Sequence, residues 1–161
     1  MRTAIYPGSF DPVTLGHLDI LERACERFDR VVIAVMENNA KTGLFTPEER
    51  VDQIHHVIGH LSNAEVMIGS GLTVEFARSL GATTIIRGLR AVTDFEYELQ
   101  QAAINMTLAP EVETVFFMAK PKYSFLSSSA AKTVAYYGGD LSPFVPDYVA
   151  EKLKEKYGGS L

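Results

Sequence analysis

Five short apolar segments, each followed by a stretch of helical periodicity, limit this chain to few architectures. They are Thr3–Tyr6, Arg30–Met36, Glu65–Ile68, Thr83–Arg87 and Glu113–Met118. All are rich in β-branched residues and show little polar alternation, the pattern of strands buried on both faces of a parallel sheet. The spacing predicts helices over Leu15–Arg27, Pro47–Gly59, Leu72–Leu80, Asp94–Leu108, Ser127–Tyr137 and Pro146–Tyr157. Leu18, Leu21, Cys25 and Phe28 give the first helix an apolar face. Thr46-Pro47-Glu48-Glu49 opens the second with a capping hydroxyl, a proline at the first position and acids against the dipole. Gly81 and Gly138-Gly139 fall where helices stop. Such alternation requires right-handed crossovers. The expected fold is therefore α/β, a doubly wound parallel five-stranded sheet in a single domain over residues 1–161. The helix 146–157 is too short to fold alone and is expected to pack on the sheet or on a neighbouring subunit.

Composition narrows the function classes. Hydrophobic residues make up 47% of 161, enough for a packed core and too many for a disordered chain. The net charge of -5 argues against a general nucleic-acid binder, although a local basic cluster can still serve a small anion. No apolar run approaches the roughly 18 residues of a membrane span. Met1 to Tyr6 run straight into a strand, so no signal peptide is expected. The single Cys25 cannot form an intramolecular disulfide and suits a reducing cytoplasm. Its helical register with Leu21 and Phe28 reads as core.

The motifs gather at one place. Gly8–His17, Asn38–Lys41, Gly69–Thr73, Arg87–Arg90 and Lys120–Ser129 follow the five strands in turn. In a doubly wound sheet ligands lie at the carboxyl ends of the strands, near the point where strand order reverses. Gly8-Ser9-Phe10-Asp11-Pro12-Val13-Thr14-Leu15-Gly16-His17 takes the chain from a strand through a tight turn into a helix start. Unpaired N–H groups and the positive end of the dipole make that a place for phosphate. His17 in the first turn can donate to a phosphoryl oxygen, or can simply pack there. Asp11-Pro12 is a turn signal by itself, which gives Asp11 a structural reading.

Arg87 and Arg90 flank Gly88-Leu89 at a strand end. Their forks match phosphate oxygens; the alternative is ion pairing with Asp94, Glu96 or Glu98. Lys41 lies in the polar loop Asn38–Gly43, where its ammonium is either solvated or reaches over the site. Tyr123-Ser124-Phe125-Leu126-Ser127-Ser128-Ser129 leads into another helix start, a second anion cradle or an ordinary capping cluster. Tyr123 or Phe125 there covers a nucleobase or belongs to the core. His56 and His60 have a metal-ligating spacing but no third ligand. There is no Walker motif and no Gly-x-Gly-x-x-Gly after the first strand, which disfavours a P-loop kinase and a dinucleotide-dependent dehydrogenase. No nucleophile with an adjacent base stands out. A phosphate that attacks already ionised needs none, only alignment and several positive groups.

These residues resemble the bacterial phosphopantetheine adenylyltransferases over essentially the whole length. The resemblance rests on Tyr6–His17, Lys41, Phe45–Arg50, Ile86–Arg90, Asp94–Glu98 and Ser124–Ser129. It implies a Rossmann-like nucleotidyltransferase fold and transfer of AMP from ATP to 4′-phosphopantetheine. The products would be dephospho-coenzyme A and pyrophosphate. Magnesium would be carried on the phosphates, with no metal site in the protein. It implies that His17 stabilises the transition state, matching the second histidine of the superfamily's His-x-Gly-His signature; Thr14 stands where the first would be, as this family usually has it. Lys41 and Arg90 are implied as its catalytic companions. Ser9, Phe10, His17, Gly88, Leu89, Arg90, Glu98 and the run Tyr123, Ser124, Phe125, Leu126, Ser127, Ser128 and Ser129 are implied to bind ATP. Ser9, Lys41, Thr73, Arg87 and Asn105 are implied to bind 4′-phosphopantetheine. Cytoplasmic location, a homohexamer and inhibition by coenzyme A are implied likewise, with no nucleic-acid or membrane partner. Two rivals remain. One is a nucleotidyltransferase of this fold for nicotinamide mononucleotide or a phosphorylated alcohol, which usually has a histidine at the Thr14 position. The other is a non-catalytic nucleotide sensor, which should have lost His17 or an arginine.

Overall fold

The computed structural model describes residues 1–158. Residues 159–161 of the expected domain lie outside the described residues. Five parallel strands alternate with helices: β1 (Thr3–Gly8), α1 (Leu15–Cys25), β2 (Arg30–Met36), α2 (Pro47–Val57), β3 (Ala64–Gly69), α3 (Thr73–Ser79), β4 (Thr84–Leu89), α4 (Val92–Leu108), β5 (Glu113–Met118), α5 (Ser128–Tyr136) and α6 (Asp147–Tyr157). A single 3₁₀ turn, Pro121–Tyr123, precedes α5. Sheet order is β3-β2-β1-β4-β5, the doubly wound arrangement, with its reversal between β1 and β4.

Strand parity sorts the core onto two faces. Tyr6, Ile33, Val35, Ile86 and Phe117 face α1, α2, α5 and α6, where they meet Ile20, Leu21, Ile54, Ala131 and Leu153. Ile5, Val32 and Ile85 face the other way, toward Val74 and Ala77 of α3. The central strands β1 and β2 are buried on both faces, as expected. The edge strands are not: β3 is largely half-buried and β5 alternates with exposed positions. Cys25 is half-buried against the larger core, and burial pushes its thiol up to about 11, so it packs rather than reacts. The last helix docks on α2: Val149 and Leu153 are buried, Tyr148 Oη donates to Asp52 at 2.7 Å and Lys156 pairs with Glu49 at 3.3 Å.

One difference from the sequence reading shapes the site. The fourth strand does not end at Arg87. Gly88 and Leu89 continue it, paired with Phe117 and Met118 of β5. On its other side β4 meets β1 only at Ala4↔Thr84 and Ile5↔Ile85. Beyond Ile5, β1 stays with β2 as far as Gly8↔Val35. The sheet therefore parts between β1 and β4, and a crevice opens at the carboxyl edge.

Candidate active site

Two adjoining cavities fill that crevice. One, of about 440 Å³, lies among β1, β4, α1 and the start of α5. The other, of about 350 Å³, lies against α4, the start of α3 and the end of β2. Both are of a size for small ligands. Pro7, Gly8, Ser9, Arg87, Tyr97 and Glu98 line both, so the two share one wall.

His17 enters the first cavity from the opening turn of α1. Thr14 is the N-cap: its Oγ1 accepts from the His17 N–H at 3.3 Å, and His17 Nδ1 accepts from the Thr14 N–H at 3.0 Å. This is a capping box with an imidazole in the place usually held by glutamate or glutamine. An accepting Nδ1 puts the ring proton on Nε2. Burial, reinforced by the nearby charges of Arg87 and Arg90, holds the His17 pKa down to about 3. At neutral pH the group is an uncharged imidazole with one ring donor, Nε2–H. Phe10 supports it. Its φ of 49° is left-handed backbone, costly for a bulky residue. That conformation stacks the Phe10 ring edge-on to Tyr6 at 5.3 Å and to His17 at 4.9 Å. A side chain at Gly8 would crowd that ring, its Cβ lying 3.1 Å from Phe10 Cε2.

The two arginines are oriented by carboxylates. Arg87 grips Glu98 bidentately, Nη2 to Oε1 at 2.6 Å and Nε to Oε2 at 2.8 Å, and donates from Nη1 to the Pro7 carbonyl. Burial works against the Arg87 charge, but these Glu98 bonds hold its pKa above the ordinary value. Arg90 bonds Asp94 through Nε at 2.9 Å and the Leu126 carbonyl through Nη1. Each fork keeps free N–H directions. The ion pairing left open by the sequence is realised, with Glu98 and Asp94, and both arginines also line the cavities.

At the start of α5, Ser127 Oγ accepts from Ala130 N–H at 3.0 Å and Ser128 Oγ donates to the Pro12 carbonyl at 2.7 Å. The main-chain N–H groups of Ser128 and Ser129 are left without an acceptor among the described residues. That is the anion-receptive end of the helix.

The first cavity thus gathers Ser9, Phe10 and His17, then Gly88, Arg90 and Glu98, then Tyr123, Leu126 and Ser127 to Ser129. The second gathers Ser9, Thr73, Arg87 and Asn105. Four residues singled out from the sequence line neither. Leu89 shares the strand parity of Ile85 and Arg87, which puts its side chain on the α4 face. Ser124 Oγ donates to the Pro121 carbonyl at 2.9 Å, closing the 3₁₀ turn. Phe125 is exposed and stacks edge-on to Phe144. Lys41 is exposed in a turn whose Ala40 N–H donates to Asn38 Oδ1 at 3.0 Å. Conversely, Tyr97, Gln101 and Met36 line cavities unforeseen. Tyr97 and Gln101 flank Glu98 in the helical register and could have been found from it. Met36, ending an apolar strand, gave no signal. The His56–His60 pairing dissolves: α2 ends at Val57, and His60 instead meets Glu22 at 2.9 Å.

Residues 5–134 match the cytidylyltransferase-like family, and the fold is that of a nucleotidyltransferase. The phosphopantetheine adenylyltransferase of Caldanaerobacter subterraneus is 53% identical over 157 residues, 98% of either chain. That of Gloeobacter violaceus is 54% identical over 157 residues, again 98% of either chain. This chain belongs to the phosphopantetheine adenylyltransferase family. A nicotinic acid mononucleotide adenylyltransferase from Plasmodium falciparum, solved with NaAD, superposes with a TM-score of 0.69 over 98% of this chain and 96% of that one. At 13% identity it shares the fold.

Proposed function

We propose that this chain transfers AMP from ATP to 4′-phosphopantetheine, releasing dephospho-coenzyme A and pyrophosphate. The observation that carries the reading is the shared wall. Two small-molecule cavities meet at Ser9, Arg87 and Glu98, as a reaction joining two phosphates requires. ATP takes the cavity of His17, Arg90 and the α5 start; the acceptor takes that of Thr73, Arg87 and Asn105. A phosphate oxygen of the acceptor attacks the α-phosphorus of ATP in line. The new P–O bond forms as the bond to the β-phosphate breaks, and the electron pair leaves with pyrophosphate. The attacking oxygen arrives ionised, so no general base is needed.

The chain's residues then act on charge. His17 donates Nε2–H to an oxygen of the pentacovalent phosphorus, where negative charge builds. Arg90 and the α5 N–H groups hold the nucleotide phosphates, and Arg87 holds the acceptor phosphate. Lys41, on its exposed loop, closes over the phosphates as they approach. Carboxylates near the phosphates are already occupied, Glu98 by Arg87 and Asp94 by Arg90. No cluster of three metal-ligating side chains occurs among the described residues. That donor set fits Mg²⁺ borne by the phosphates and largely hydrated, which when bound would neutralise their oxygens.

No helix among the described residues is long and apolar enough to cross a membrane. We place the reaction in the cytoplasm, which suits the lone thiol of Cys25. Assembly is read as homohexameric, with coenzyme A as inhibitor, on family resemblance; exposed Phe95, Leu99 and Met106 of α4 support self-association. Pyrophosphate release is the test. Release that depends on both ATP and 4′-phosphopantetheine is expected; release with nicotinamide mononucleotide but not 4′-phosphopantetheine would overturn the assignment.

A further inference from the structure

Asp11 is a buried carboxylate that lines neither cavity, yet it joins four segments of the site. Its Oδ2 accepts from the Leu44 N–H at 2.8 Å and its Oδ1 from the Phe45 N–H at 2.9 Å. Arg50 of α2 pairs with Oδ1 at 3.4 Å, and Lys132 of α5 with Oδ2 at 3.4 Å. Arg50 also donates Nε to the Phe45 carbonyl at 2.9 Å and Nη1 to the Ser9 carbonyl at 3.3 Å. Gly43 covers the network. A Cβ there would lie 1.8 Å from Arg50 Nη2 and 2.8 Å from Asp11 Oδ2, so only hydrogen fits.

Lys41 hangs between two anchors. At one end of its loop Asn38 lines the acceptor cavity. At the other, Asp11 holds Leu44 and Phe45 to the loop that carries Ser9. We infer that Asp11 is a positioning residue for adenylyl transfer: it fixes the Lys41 loop to the Ser9 loop, so that the ammonium reaches the phosphates from a set place. This rests on the role given to Lys41 above. The task needs both oxygens and the charge. A neutral amide accepts through one oxygen only and forfeits the attraction to Arg50 and Lys132.

A double-mutant cycle separates positioning from mere structural support. Asp11→Asn, Lys41→Ala and the double variant are assayed for pyrophosphate release, with ATP affinity read by calorimetry and folding by thermal melting. Asp11→Asn is expected to lower kcat/KM for 4′-phosphopantetheine about 10- to 100-fold, as for a displaced positioning group, with ATP affinity unchanged. In the Lys41→Ala background the same substitution should cost no more than about twofold. An equal loss in both backgrounds, or wild-type kinetics for Asp11→Asn, overturns the inference. Wild-type kinetics for Lys41→Ala instead removes the Lys41 role itself and the Asp11 role with it. Should Asp11→Asn not fold, Gly43→Ala enters the same cycle from the exposed side. A loss that vanishes without Lys41 supports the inference; an additive loss defeats it.

Discussion

With Nδ1 accepting from the Thr14 main chain, His17 has only Nε2–H left to offer a substrate, and it offers it uncharged. A neutral donor suits this site, since Arg87 and Arg90 are close enough to oppose an imidazolium. In the proposed role its interaction would strengthen only as charge grows on the phosphorus, so it should appear in kcat. His17→Ala is expected to lower kcat by roughly 10²- to 10³-fold, the usual cost of losing one transition-state donor. ATP affinity by calorimetry should hardly move. The same burial has a consequence for folding. The unfolded chain takes up a proton at His17 near pH 6.5, whereas the folded protein resists it to about 3. Across that window the unfolded state binds more protons, so stability rises with pH, by at most about 1.4 kcal/mol per unit from this group. Above pH 6.5 its contribution is constant. Urea midpoints measured from pH 7 to pH 5 should therefore fall more steeply for the wild type than for His17→Gln; parallel curves would show that His17 is not buried neutral.

The first helix and the fourth strand show what a sequence can and cannot announce. Thr46-Pro47-Glu48-Glu49 announces a capped helix start, and the structure builds it as a full capping box: Glu49 N–H to Thr46 Oγ1 at 3.1 Å and Thr46 N–H to Glu49 Oε1 at 3.0 Å. The equivalent box at Thr14 was hidden, because a histidine is not the residue that the pattern asks for at its third position. Yet that box sets the tautomer of the catalytic candidate. Thr14→Val separates its two jobs. Losing the hydroxyl cap should cost about 1 kcal/mol of stability, read in thermal melting. The main-chain N–H of position 14 still reaches Nδ1, so kcat should stay within about tenfold of wild type, against a loss of at least 10²-fold for His17→Ala. Equal losses would mean that the hydroxyl, not the main chain, orients the ring. In β4, Gly88 reads as lying past the strand's end, and pairing with Phe117 overrides it. The parting of β1 from β4 has no local signal at all, being a property of two registers. Nor does the sequence say where Lys41 rests, since the loop between its anchors makes few contacts.

Across the molecule, α4 buries the smallest share of its described residues of any α-helix. Among the described residues of this 17-residue helix, Glu98 is the one buried side chain, and it pairs with Arg87. Glu98, Gln101, Ala102 and Asn105 recur at helical spacing and line the second cavity, the one proposed for the acceptor. About a quarter-turn round the helix, Leu99 at 50% and Met106 at 53% exposure form an apolar stripe left half open among the described residues. A helix normally gains its stability by burying such a stripe. Here the cavity side is occupied by polar groups, and in the proposed assembly the apolar side would be covered by a second copy. Assembly would then hold the acceptor wall in place as well as fix the subunit count. The double variant Leu99→Glu, Met106→Glu should sediment as a smaller species, because charges in a buried contact are costly to desolvate. Its KM for 4′-phosphopantetheine should rise by about tenfold or more, the scale of a loosened positioning element. ATP, held chiefly from α1, β4 and α5, should bind with little change. If the smaller species keeps its wild-type KM for the acceptor, α4 stands without its neighbour, and the link between assembly and the acceptor site is broken.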